Sequence, residues 1–362
     1  MSAMSRRSWS LFCAVLLGLP LSARAAEAVR VVPTVPSPLA SAPELIERQF
    51  SPLEAFQLQG KLAANGLKDP FHIDLAAERL LVRPPDAPGA DGRYGLLVYI
   101  DSGKKASLDP QWINALDAHH VVFVSPDNSG DDARTLDRRI PLALHAYEYA
   151  RKTYSVDPER VYVAGRDGGA RVAQRLALSY PDVFTGAIVN VGGDGLGTDI
   201  PAPAPDLLRY LRTRSTLVLA TSRHDQPAFS EQQRLLRSLR TYCIVNSHEF
   251  DNGHTVAGHA GITGTYLSDF LGAFEGPRKP DPEGQARCEQ DFQRDATSAM
   301  ANIRQLEATN RHEDALKALV DFDHAYGRLL LDDEVAAAKR LNPGFFGAPS
   351  TSASDAASAE SH

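Results

Sequence analysis

The chain has 362 residues, 43% hydrophobic and 23% charged, with a formal net charge of -7. That length and composition support one large globular domain with a substantial core. The mild acidity excludes the basic footprint of a nucleic-acid binder, and it argues for solubility rather than for a partner.

At the N-terminus, Arg6 and Arg7 precede a mostly apolar run over residues 10–21, and Ala23-Arg24-Ala25 forms a small-x-small site. This is the layout of a signal peptide over residues 1–25, with an uncleaved anchor as the alternative. The run is short for a bilayer crossing. The expected location is the bacterial periplasm or the exterior, with no transmembrane segment in the mature chain. Cleavage removes Cys13 and leaves Cys243 and Cys288. In an oxidising compartment these suggest one disulfide; two buried small hydrophobes are the alternative.

Residues 26–50 are rich in Pro, Ala and Ser and read as an extended or poorly ordered lead-in. Next come one or two early strands over residues 71–83, a Pro- and Gly-rich turn over 84–92, and buried strands over 94–100 and 120–125. Residues 136–153 carry apolar side chains at helical spacing. A strand over 160–164 and a helix over 170–180 follow. Further strands are expected at 186–191, 216–221 and 248–250, with helices over 230–241 and 256–274. Strands alternating with helices predict an α/β domain over residues 51–275, its mostly parallel sheet covered on both faces. Residues 276–286 read as a linker, 287–341 as a helical extension, and 342–362 as a disordered tail. One helical hairpin in the extension looks like a tetratricopeptide unit, but a lone unit buries little. Helices packed on the edge of the main domain are the alternative.

The densest chemical signal is Gly165-Arg166-Asp167-Gly168-Gly169 between the strand at 160–164 and the helix at 170–180. It has the build of the nucleophile elbow G-x-S-x-G, with Asp167 where a serine would stand. A triad in the order nucleophile, acid, histidine can be filled downstream. Asp225 follows the strand at 216–221, and His254 follows the strand at 248–250. Asp225 would orient and charge-stabilise the imidazole of His254. Backbone N–H groups of Gly168 and of the loop near Ser102 would form an oxyanion hole. Each also has a plainer reading: Asp225 as a loop or N-cap aspartate, His254 as a polar loop residue. His224 and His259 are competitors. His248, His254 and His259 lack the spacing of a helical metal pair, so no metal and no cofactor are expected. The acidic run 127–132 reads as a solvated loop near the rim.

The segment Asp157-Pro-Glu-Arg160-Val-Tyr-Val-Ala-Gly165 through Ser179-Tyr-Pro-Asp-Val-Phe184 resembles secreted esterases of the α/β-hydrolase superfamily. The group it resembles is that of polyhydroxybutyrate depolymerases and feruloyl esterases. Pro126-Asp127-Asn128-Ser129-Gly130 is similar to the loop after the fourth core strand there. The resemblance spans roughly residues 70–275 and omits the C-terminal helices. It implies the α/β-hydrolase fold and carboxylic-ester hydrolysis, with a small-molecule ester as substrate. Asp167 departs from it. An aspartate nucleophile in this superfamily attacks saturated carbon, whereas attack on an ester carbonyl would give an anhydride. Two carboxylates near His254 would also hold it charged and make it a poor base. Two readings follow: an esterase-like fold with activity lost or rebuilt around Asp167, or a non-catalytic envelope module. The module would hold a small ligand in the old pocket or a protein partner on the C-terminal helices.

Overall fold

A computed structural model describes residues 27–251, 253, 261–278 and 281–346. Among the described residues, eight strands form one sheet: β1 (Val29–Val31), β2 (Leu80–Arg83), β3 (Tyr94–Ile100), β4 (Val121–Pro126), β5 (Val156–Arg166), β6 (Gly186–Asn190), β7 (Thr216–Ala220) and β8 (Ser247–Phe250). Their order is β1-β2-β4-β3-β5-β6-β7-β8. β2 runs antiparallel to β1 and β4, and all other pairs are parallel. This is the α/β-hydrolase sheet, with a C-terminal helical extension attached.

The central strands are apolar throughout because both faces are covered. Side chains alternate between two cores, as the period of a strand requires. Leu96, Val98 and Ile100 face the larger core with α1 (Ala42–Gln49), α4 (Ile140–Thr153), α5 (Gly168–Ser179), α6 (Pro205–Thr213) and α7 (Gln226–Thr241). Leu97 and Tyr99 face the other, closed by α3 (Ile113–Ala118) and α8 (Gly264–Glu275).

Residues 26–50 correct the expectation of a loose lead-in. β1 adds an edge strand, and α1 buries Leu45 and Ile46. The prolines that read as breakers stand instead at helix starts: Pro43 in α1 and Pro52 in α2 (Pro52–Ala64). There the missing N–H is not needed and the fixed φ suits the first turn.

The extension consists of α9 (Pro282–Ala308), α10 (His312–Tyr326) and α11 (Leu331–Leu341). α9 begins within the expected linker, where Asp281 caps it by accepting from Gly284 N at 2.9 Å. The first residues of the expected disordered tail are ordered instead, in a 3-10 turn over Pro343–Phe346 that buries Phe345. Residues 347–362 lie outside the described residues. The three helices make a small core with Leu53 of α2, including Met300, Ile303, Leu319, Phe322 and Ala337. They are docked on the main domain. Tyr242 Oη donates to Ala325 O at 2.9 Å, and Cys243 is bonded to Cys288, with their Cα atoms 5.8 Å apart. Closing a loop over a sequence separation of 45 is worth about 4 kcal/mol by chain entropy. Among the described residues no helix is long and apolar enough to cross a membrane.

Candidate functional site

The elbow joins β5 to α5 at the C-terminal edge of the sheet. Asp167 has φ 55° and ψ -125°, a conformation scarcely open to residues with a side chain. Such strain persists only where the surroundings impose it, and functional sites are a common place for it. Its neighbours explain how the turn closes. A Cβ on Gly165 would stand 2.2 Å from Gly169 O, and one on Gly169 would stand 2.2 Å from Ile100 O. Only glycines permit that approach.

The side chain of Asp167 is 23% exposed, and its Oδ2 accepts from Arg166 Nε at 3.2 Å. Asp225 is the N-cap of α7, with Oδ1 accepting from Ala228 N at 3.4 Å. Its loop is tied to the one after β8: Ser222 Oγ donates to Gly253 O at 2.6 Å, and Arg223 Nε lies 3.7 Å from Asp251 Oδ2. The histidine candidate, His254, lies outside the described residues, as does His259. Thus Asp167 and Asp225 stand at the same edge of the sheet, two strands apart.

The oxyanion-hole candidates Gly168 and Ser102 meet a group that the sequence reading placed in a solvated loop. Asp131 N donates to Ser102 O at 2.9 Å. The Asp131 carboxylate lies against Gly168, so close that a Cβ there would be 2.2 Å from Oδ1. Arg139, buried at the start of α4, holds this arrangement from below. Its Nη2 lies 3.0 Å from Asp131 Oδ1 and donates to Asp101 O at 3.2 Å, while Nε donates to Ser129 O at 2.8 Å. Burial pushes the Arg139 pKa down, against the pull of Asp131. Tyr99, at the end of β3, is pushed well above the usual phenol range by burial first and by Asp101 second. It therefore remains a neutral hydroxyl beside these charges.

Sequence reasoning missed Asp131 and Arg139 as partners. The available signal was a basic pair, Arg138-Arg139, following the acidic run 127–132 at the start of an apolar helix. It missed a second feature too. Val191, just after β6, has φ 74°, an outlier for a β-branched residue, and Gly192 and Gly193 follow it with positive φ. One turn past the elbow, Arg171 pairs with Asp194 from this segment and with Glu231 of α7, the latter at 2.7 Å. Burial raises the Asp194 pKa, with Arg171 opposing. Of the competitors for the base, His224 is described on the loop after β7, where its backbone N donates to Ser222 Oγ at 3.2 Å. His119 joins Glu275 and Ser268, at 2.9 and 3.0 Å. Among the described residues no group of three or more His, Cys, Asp or Glu side chains could hold a metal ion. A cavity of about 620 Å³ lies between residues 36–41, residues 69–76 and His145, and none of the elbow residues lines it.

No protein-family model matches the chain. A stretch of 43 residues is 46% identical to poly(3-hydroxyalkanoate) depolymerase C of Paucimonas lemoignei, covering 12% of this chain and 10% of that enzyme. The match therefore spans about a tenth of the depolymerase. Among solved structures, the chain is similar to a thermostable esterase (TM-score 0.38, 12% identity, 59% of each chain). It is also similar to the esterase of the archaeon Pyrobaculum calidifontis (TM-score 0.40, 13% identity, 61% of this chain and 89% of that one). A third is an α/β-hydrolase enzyme from a Medee basin deep-sea metagenome library (TM-score 0.39, 13% identity, 59% and 90%). The fold assignment rests on the sheet itself, through its strand order, its antiparallel β2 and its elbow.

Proposed function

We propose that this chain is an exported protein on an esterase scaffold in which acyl-transfer activity is lost or much reduced, and whose elbow pocket serves to hold a small ligand. One observation carries the reading: two carboxylates, Asp167 and Asp131, flank Gly168, where an oxyanion would have to form. A carboxylate about 4 Å from a forming oxyanion costs about 4 kcal/mol at an effective dielectric of 20. That matches the roughly 3–4 kcal/mol that one oxyanion-hole donor supplies. Arg139 and Arg166 offset part of the repulsion, but each already pairs with one of the carboxylates.

The nucleophile position points the same way. An aspartate attacking an ester carbonyl makes an anhydride, and Arg166 draws charge away from Asp167. In this reading Asp225 and His254 are the inherited acid and base, and Gly168 and Ser102 the inherited oxyanion hole. A histidine set between two carboxylates would hold its proton and serve poorly as a general base. The Cys243–Cys288 bond is consistent with an oxidising compartment, as is the N-terminal signal pattern.

Ester hydrolysis across a range of acyl lengths tests the reading on the mature protein, on D167S and on D167S/D131N. The natural protein is expected to show no turnover above background, D167S a measurable gain, and the double variant a further gain of about tenfold. Robust native turnover that disappears in D167A would overturn the proposal. So would a covalent alkyl-ester adduct at Asp167 after incubation with an epoxide or a haloalkane. N-terminal sequencing of the exported fraction checks cleavage after Ala25.

A further inference from the structure

Asp323 and Glu334 meet where the C-terminal helices touch the main domain. Asp323 is on α10 and Glu334 in the first turn of α11; they are 3% and 0% exposed. Their surroundings are unequal. Asp323 Oδ1 accepts from Leu53 N at 3.0 Å, and Oδ2 accepts from Ser51 Oγ. These donors are the N-terminal groups of α2, and the positive end of that helix favours an anion. Glu334 lacks such support. Neither of its oxygens receives a hydrogen bond from a described residue, and its carboxyl faces that of Asp323.

Nearby cations make their hydrogen bonds and ion pairs with other groups. Arg328, on the 3-10 turn between α10 and α11, spends its hydrogen bonds on the carbonyls of Glu47 and Phe50; its charge is shared among Glu47, Asp323, Glu334 and Asp206, and at Glu334 it opposes burial and Asp323 without outweighing them. His324 of α10 is bound to Glu54 of α2 at 3.2 Å. Arg304 of α9 pairs with the exposed Asp333, and Arg340 of α11 with Glu307. A buried carboxyl without donors or a dedicated cation neutralises itself by holding its proton.

We infer that Asp323 and Glu334 share one proton and form a pH-sensitive latch fastening the C-terminal helices to the main domain, closed while Glu334 is protonated and loosened when it ionises. Protonated Glu334 presents a hydroxyl to the Asp323 carboxylate, which in turn caps α2. Loss of the proton leaves two buried carboxylates face to face across the joint. Burial first, and Asp323 second, push the Glu334 pKa from its ordinary 4.5 up to about 10. The folded protein therefore holds a proton that the unfolded chain releases. The latch's contribution to stability is fully present below about pH 4.5 and declines as pH rises toward about 10.

The test compares the full natural chain with E334Q, which keeps a donor for Asp323 and cannot ionise. Denaturant unfolding is followed from pH 6 to 9, with hydrogen exchange resolving α9–α11 from the sheet. The natural protein should lose up to tenfold in its folding constant per pH unit, with exchange in α10 and α11 rising first. His324, whose pKa is raised chiefly by its bond to Glu54, acts in the same direction, so the latch is read as the difference between the two proteins. E334Q should be at least tenfold more stable than the natural protein at pH 8 and show a shallower slope. An unchanged slope in E334Q would overturn the inference. Should that variant not fold, carbon-13 titration of the Glu334 carboxyl in the natural protein decides: titration above neutrality supports the latch, and titration below pH 5 refutes it.

Discussion

The elbow and the C-terminal joint both gather carboxylates, and they treat them in opposite ways. At the elbow the side chains of Asp167 and Asp131 are 23% and 45% exposed, and each leans on an arginine. At the joint Asp323 and Glu334 are sealed from solvent, one held by helix N-terminal donors and the other without any. Access to water separates the cases. A partly hydrated carboxylate stays charged beside a guanidinium, while a sealed one must be capped or protonated. The elbow thus leaves its carboxylates partly hydrated beside arginines, and the joint uses its own to hold two pieces of structure together.

That contrast can be broken at either end. The largest effect is expected from G165A, whose Cβ would drive into Gly169 O at the elbow. The backbone must move, and a loss of about 4 kcal/mol or more in denaturant unfolding is expected; a loss under about 1 kcal/mol would mean the turn is not sterically determined. Next is D323A, which strips the donors of Ser51 and Leu53 of their buried acceptor. We expect about 3 kcal/mol, with the increase in hydrogen exchange concentrated in α2, α10 and α11. A uniform increase across the sheet would argue against a local joint. The smallest is R166A, which removes a half-exposed partner of Asp167. Its stability change should stay within about 1 kcal/mol in thermal unfolding. A much larger loss would place the Arg166–Asp167 pair in the structural class of the joint.

The parts legible in the sequence were those written in contiguous residues. The apolar run Tyr94–Ile100 coincides with β3, and the glycine-flanked turn after β5 is the elbow. What was not legible arises from residues brought together by the sheet. Asp131 and Arg139 meet Gly168 only because β4 and β5 both flank β3. Glu334 sits in Leu331-Asp-Asp-Glu-Val, which reads as an ordinary solvated first turn with helix-dipole complementarity. Nothing local says that its third acid, unlike the first two, faces inward. β1 and α1 were hidden by composition, because three strand residues and eight helical ones carry little periodicity beside so many prolines.

The Cys243–Cys288 bond changes what opening the joint would mean. It anchors α9 near its start to the segment just after α7, so helices freed at their far end would pivot on a leash and could not diffuse away. Their local concentration would stay on the order of millimolar, as for modules on a short tether. Reclosure would then be a first-order event, indifferent to how dilute the protein is.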